Sequence, residues 1–232
     1  MIAPDARVVA GAVVVAIDGP SGSGKSTVAR RVAERLGFLY LDTGAMYRAV
    51  GVLAAEAGVS PDDEAAVVAV AQKADLRFDE HGRLHAGERD LSEAIRTLDA
   101  GELASRVSAL PGVRALLVAQ QRAMARERGV VMEGRDIGTN VFPDAPVKVY
   151  LTASAEVRAE RRLRELLEAG AGVTFDEVLA SVVERDRRDA GRAVAPLRQA
   201  ADAVAVDTTA MSLEEVVDAV EAVARRGLEE SA

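Results

Sequence analysis

Apolar and polar positions follow two rhythms along this chain. Short apolar stretches without polar alternation at 13–17 (VVVAI), 38–41 (FLYL), 129–133 (GVVME), 146–151 (PVKVYL) and 203–206 (AVAV) predict short strands covered on both faces. Between them, apolar residues recur at helical spacing over 26–36, 44–57, 112–128, 155–169, 175–190 and 212–226. This alternation predicts an α/β fold with a five-stranded parallel sheet flanked by helices. In such folds the ligand crevice opens at the carboxyl ends of the strands.

Two stretches break the rhythm. Between helical patterns near 67–72 and 98–109 lies ADLRFDEHGRLHAGERDLSEAIR, whose alternation and His81-Gly82 turn predict a small antiparallel insertion. His81 and His85 lie four apart there with no further ligand spacing, and they read as surface residues. The second break is an arginine-rich helical pair over 155–192, interrupted at Gly170-Ala171-Gly172. The closing GLEESA reads as a frayed end.

The 232 residues are 49% hydrophobic and 28% charged, which is enough apolar material for one full core. Aromatics are only 3%, so valine, leucine, isoleucine and alanine must fill it. With no cysteine, disulfides, thiolate metal sites and a cysteine nucleophile are excluded, and a reducing interior fits. A net charge of −8 gives no electrostatic reason to expect nucleic-acid or acidic-membrane binding. The apolar N-terminal run lacks a basic leader and flows into the first strand, so it does not read as a signal peptide. No run reaches the length of a membrane span. The expectation is a soluble cytoplasmic protein, with nothing that demands more than a monomer.

The first strand ends at Asp18, and Gly19-Pro20-Ser21-Gly22-Ser23-Gly24-Lys25-Ser26 then fits G-x-x-x-x-G-K-[ST], the phosphate-binding P-loop. Glycines let successive backbone N–H groups turn inward toward phosphate oxygens. Lys25 places a compact charge at the β- and γ-phosphates, and the Ser26 hydroxyl suits Mg²⁺. The helix that follows, opening with Ser26 and Thr27, aims its positive end at the same phosphates. The chain has only three lysines, and one stands where the pattern requires it.

Three polar clusters follow. Asp42, Thr43, Tyr47 and Arg48 stand where the second strand gives way to a helix, with Thr43 placed as its N-cap. Arg135 and Asp136 lie between two glycines just past the third strand; the guanidinium fork suits a phosphate, and the carboxylate can accept from a base amino group. Arg185, Asp189 and Arg192 fall at i, i+4 and i+7 on one helical face. Each cluster has a purely structural reading as a cap, a turn ion pair or a solvated face with a Glu184–Arg188 pair.

Three reaction classes use such a loop. A GTPase needs an N-K-x-D segment, and none is present. A mechanical ATPase needs acidic residues at the end of a Walker-B strand, whereas the 146–151 strand runs into Thr152-Ala153. A small-molecule kinase needs an acceptor site and a positive lid, and the two inserts supply them. A hydroxyl acceptor calls for a carboxylate base. A phosphate monoester acceptor is already anionic and calls instead for arginines. Shikimate-type kinases carry D-x-D where this chain has Asp42-Thr43-Gly44. A nucleoside monophosphate acceptor is therefore favoured; another P-loop kinase and a non-catalytic ATP-dependent regulator remain open.

The segments GPSGSGKST, LDTGAMYR, EGRDIGTNVFPDAPVKVYL and ERDRRDAGRAVAPL together resemble bacterial cytidylate kinases, over nearly the whole chain. The resemblance implies a single P-loop kinase domain: core 11–43, 111–154 and 193–228, a nucleoside-monophosphate-binding insertion at about 44–110 and a lid at about 155–192. It implies ATP with Mg²⁺ as donor and CMP or dCMP as acceptor. Ser105, Arg114 and Asp136 would contact cytosine, while Tyr47, Arg48 and Arg135 would hold the acceptor phosphate beside Asp42 and Thr43. Arg185 and Asp189 would bind the ribose, with Lys25, Arg135, Arg185 and Arg192 around the transferring group. Arg158, Arg161 and Arg162 lie where the lid meets the donor; Arg161 stands with the ATP-binding residues, and the choice among the three stays open.

Overall fold

The computed structural model describes residues 13–126, 128–168 and 170–231. The expected start of the core at residue 11 and the reading of the N-terminal run lie outside them. In chain order the elements are β1 (Val14–Asp18), α1 (Lys25–Leu36), β2 (Leu39–Asp42), α2 (Thr43–Glu56), α3 (Glu64–Lys73), β3 (Leu76–Phe78), β4 (Leu84–Ala86) and β5 (Arg89–Asp90). Then follow α4 (Leu98–Val107), α5 (Pro111–Met124), β6 (Val130–Gly134), β7 (Val147–Thr152), α6 (Ala155–Glu168), α7 (Phe175–Ala190), β8 (Val204–Asp207) and α8 (Leu213–Glu230).

Five strands form the parallel sheet, in the order β2-β6-β1-β7-β8. Each begins and ends one residue later than its apolar run, because a terminal polar or small residue still pairs in the ladder. Thus Asp18 lies opposite Gly134, Asp42 opposite Glu133, and Thr152 opposite Asp207. One polar edge therefore runs along the carboxyl ends of all five strands, where the crevice is expected.

Helices α1 and α8 cover one face through Val28, Val32, Val217 and Val220. On the other face Val14, Ala16 and Met132 pack with Val118 of α5. The predicted antiparallel insertion is present as β3-β4-β5, and the His81-Gly82 turn closes with Gly82 at φ +71°. It shares a second core with α2, α3 and α5, built on Met46, Val50, Leu84, Leu91 and Leu117. Ala159, Leu166, Val178 and Val182 join α6 to α7 in a third, small cluster. His81 is exposed, but His85 is only half-exposed and meets Asp79 at 3.3 Å.

Local signals fix three helix ends; the apolar pattern gave the end of α7 at residue 190 and missed the other two. Thr43 is not the cap of α2; Asp42 is, accepting from Ala45 N at 3.0 Å. GLEE continues α8 to Glu230, behind a Ser212/Glu215 capping box at its start. Helix α7 stops at Ala190, so Arg192 is held by a turn and not by the helical face it was expected to share.

Candidate active site

The phosphate loop sits between β1 and α1. Gly19 lies so close to β7 that a Cβ there would stand 1.9 Å from the Leu151 carbonyl oxygen, and Gly24 enters the helix at φ +90°. Only glycine meets both demands. Lys25 is 5% exposed and donates from Nζ to Pro20 O at 2.6 Å and Ser23 Oγ at 3.4 Å. Burial, with Arg135 nearby, holds its ammonium well below the ordinary lysine value, while Glu133 acts in the opposite direction.

A triphosphate favours the charged form of Lys25, so its binding must raise that pKa and draw in a proton. At about pH 8, where free ATP carries no titrating proton, metal-free ATP is expected to bind with net proton uptake. Calorimetry in buffers of different ionisation enthalpy reads this directly. The uptake should vanish in Lys25→Met; equal uptake in both proteins would contradict it.

Glu133 is a buried cleft residue that the sequence reading missed. It ends the apolar run of β6, one strand from the P-loop, and is 4% exposed. Its carboxylate accepts from the Tyr40 hydroxyl and faces the Ser26 hydroxyl. Burial, then the Asp42 charge, raises its pKa. The available signal was an acidic residue closing a buried strand, read together with the strand order.

A cleft of about 1190 Å³ joins the P-loop, β2–α2, α4, α5, the turn after β6, α6 and α7. At its inner wall Arg114, 4% exposed, donates to Asp136 Oδ2, and its guanidinium lies 5.6 Å from the Tyr47 ring centroid. Asn140 Nδ2 donates to the same oxygen at 3.1 Å, so Asp136 Oδ1 takes no hydrogen bond from the described residues. Arg114 Nε is buried without a partner. Ser105 lies on the same wall, from α4.

Asp189, 1% exposed, binds Arg135 Nε at 3.0 Å and Arg192 Nη2 at 2.6 Å. Burial alone would raise its pKa, but Arg135 and Arg192 outweigh this and hold it below the usual carboxylate value. Arg185 has a buried Nε with no partner, and burial, then Arg135, lowers its pKa to about 10. A group of cations that weaken one another is poised to be stabilised by an anion. Arg48 pairs with Asp42 at 2.6 Å on the facing wall, and Thr43 donates to Glu133 O at 2.7 Å.

Arg158, Arg161 and Arg162 of α6 have separate positions. Arg158 is buried and ties α6 to Ser21 O at 3.1 Å and to Asp186 on α7. Arg162 pairs with exposed Glu165 at 2.8 Å. Arg161 lies against the P-loop, its Nη1 3.8 Å from where a Gly24 Cβ would be, and it bonds both oxygens of Thr208. Ser26 and Thr27 are exposed at the same end of the cleft.

A P-loop at one end and an arginine-rich pocket at the other define a phosphotransferase: one end suits a donor polyphosphate, the other a second anionic substrate. A family model described as cytidylate kinase matches residues 15–226. The chain is 52% identical over 206 residues to a cytidylate kinase of Carboxydothermus hydrogenoformans, covering 88% of this chain and 93% of that one. It is 48% identical over 215 residues to one from Geobacter sulfurreducens, covering 91% and 92%. This chain belongs to the cytidylate kinase family. Among the described residues, no helix is long and apolar enough to cross a membrane, and no group of three or more His, Asp or Glu side chains could cage a metal.

Proposed function

We propose that the chain transfers the γ-phosphoryl group of ATP to the 5′-phosphate of CMP or dCMP, giving ADP and CDP or dCDP. The observation that carries this reading is the buried Arg114–Asp136 pair, which faces the P-loop across a cleft walled by Arg48, Arg135, Arg185 and Arg192. Cytosine presents an amino donor beside two acceptors, so a carboxylate next to a guanidinium complements its edge. Uracil sets a carbonyl against the carboxylate and leaves buried groups unpaired.

Donor phosphates lie on the P-loop N–H groups and Lys25. Arg161, against the loop, serves the donor nucleotide. Tyr47, Arg48 and Arg135 hold the acceptor phosphate, Asp189 and Arg185 orient the ribose, and Arg185 and Arg192 take up charge on the equatorial oxygens. An anionic acceptor needs no general base, so the chain's task is alignment and charge neutralisation. The α6–α7 lid, closing over the cleft, keeps water from competing for the phosphoryl group.

Ser26 with the Glu133 and Asp42 carboxylates fits Mg²⁺, which prefers one or two carboxylates, substrate phosphates and retained waters to an all-protein cage. When bound with ATP, the ion supplies charge neutralisation at the β- and γ-oxygens. Glu133→Gln removes the buried charge while keeping the shape. It is expected to raise the Mg²⁺ concentration for half-maximal turnover by about 10-fold or more. An unchanged Mg²⁺ titration would remove Glu133 from that role.

Product analysis tests the reaction itself. With ATP, Mg²⁺ and CMP, CDP and ADP should accumulate in equal amounts. Release of inorganic phosphate without CDP would overturn the transfer.

A further inference from the structure

We propose that Asp18 is a positioning residue for base recognition: it caps the turn after β6 from the neighbouring strand and thereby frees the Asp136 carboxylate for the acceptor. This rests on the reading of Asp136 as the cytosine-facing carboxylate. Residues Ile137–Val141 form a single wide helical turn, with Asn140 N and Val141 N both bonding to Asp136 O. The first N–H groups of any such turn lack internal partners. An aspartate at the cap position ordinarily supplies them from its own side chain. Asp136 stands at that position and makes no such bond.

Asp18 takes over the task. From the end of β1 its Oδ1 accepts from Ile137 N and its Oδ2 from Gly138 N, both at 2.8 Å. The carboxylate is 5% exposed. Asp136 is left to bind Arg114 and Asn140 through one oxygen, with the other unbonded among the described residues. Gly138 makes room for the Lys148 stem beside the cap: a Cβ there would stand 3.1 Å from Lys148 Cδ, but at an ordinary 3.5 Å from Asp18 Oδ2. The residue immediately before the donor loop thus fixes the turn that reads the acceptor.

Several charged groups face this carboxylate. Lys25 approaches from α1 and Asp136 from the turn. On β7, Tyr150 is near, and the Lys148 stem packs on Gly138 while its ammonium turns away to Asp202 at 2.6 Å. Burial is the largest influence and raises the pKa to about 6, although the two backbone donors oppose it. Protonation puts an O–H opposite one of those N–H groups, so the cap weakens on the acid side.

Asp18→Asn keeps the shape but offers one acceptor to two donors. Its KM for CMP is expected to rise about 10- to 100-fold, with KM for ATP changed less than about threefold and the CMP-over-UMP preference reduced. A general loss of structure would instead move both KM values. Should the variant not fold, the wild-type amides of Ile137 and Gly138 still read the cap through their response to pH. In the wild type, the amide resonances of Ile137 and Gly138 should titrate together near pH 6. In Asp18→Asn that titration should be absent. Equal changes in both KM values, an unchanged CMP-over-UMP ratio, or amides that ignore pH would overturn the proposal. If the wild type failed to use CMP, the proposed function would fall while the amide titration still reported on the cap.

Discussion

Replacing Asp136 with alanine is expected to lower kcat/KM for CMP by about 10³-fold or more, with ATP affinity changed less than about threefold. The size follows from burial. Arg114 and Asp136 have side chains only 4% and 8% exposed, so removing one partner strands a desolvated guanidinium. Breaking such a pair costs on the order of 3–5 kcal/mol of folding stability. Recognition and stability must therefore be separated, and Asp136→Asn does this because it keeps the volume and one acceptor oxygen. That variant should melt much closer to the wild type yet accept UMP relatively better, since its amide can donate to the uracil carbonyl. A CMP-to-UMP ratio unchanged in the asparagine enzyme would remove Asp136 from base reading.

The second large effect is at the loop. Lys25→Met should lower kcat by about 10³-fold, the scale at which preorganised charge at a transferring group acts. The fold should survive and even gain stability, because the methionine keeps the apolar stem while removing a charge held at 5% exposure. The sign follows from the depressed pKa. A lysine whose folded pKa lies below its unfolded value costs stability that builds up as pH falls from the unfolded value to the folded one, about 7, and is constant below it. The melting gap between Lys25→Met and wild type should therefore shrink as pH rises above neutrality. Retention of most of the turnover by Lys25→Met would mean that the donor phosphates lie elsewhere.

Some of this was legible in the sequence because each residue acts through its own backbone neighbours. The P-loop is local: eight consecutive residues give the turn, the amide cradle and the lysine. The five strands were legible from short apolar runs without polar alternation, though the ladder recruits Asp18, Asp42, Thr152 and Asp207 beyond four of them. What periodicity could not give was depth and adjacency. Arg158, Arg161 and Arg162 share one side of α6, yet one is a buried strut, one faces the P-loop and one is exposed. Glu133 and Asp18 closed apolar strands and looked like strand punctuation. Their partners, Tyr40 and the Ile137–Gly138 amides, lie 93 and about 120 residues away and meet them only once β6 stands beside both β1 and β2.

Cluster logic did better where opposite charges had to meet. Arg135 was singled out in one cluster and Asp189 with Arg192 in another, and Asp189 now binds both arginines. The helical spacing offered for Arg192 was wrong in detail, since α7 ends two residues earlier, yet the turn through Gly191 returns it to the same carboxylate. The chemistry was legible from residue types, while the route that brings them together was tertiary.

The most direct measurement is ADP release under ATP–Mg²⁺ with CMP, dCMP, UMP, AMP and shikimate offered in turn, with Lys25→Met as control. Turnover concentrated on CMP and dCMP, and lost in the control, is the predicted result. Faster turnover with shikimate or AMP would contradict the acceptor assignment, and tight ATP binding without turnover on any acceptor would contradict catalysis itself.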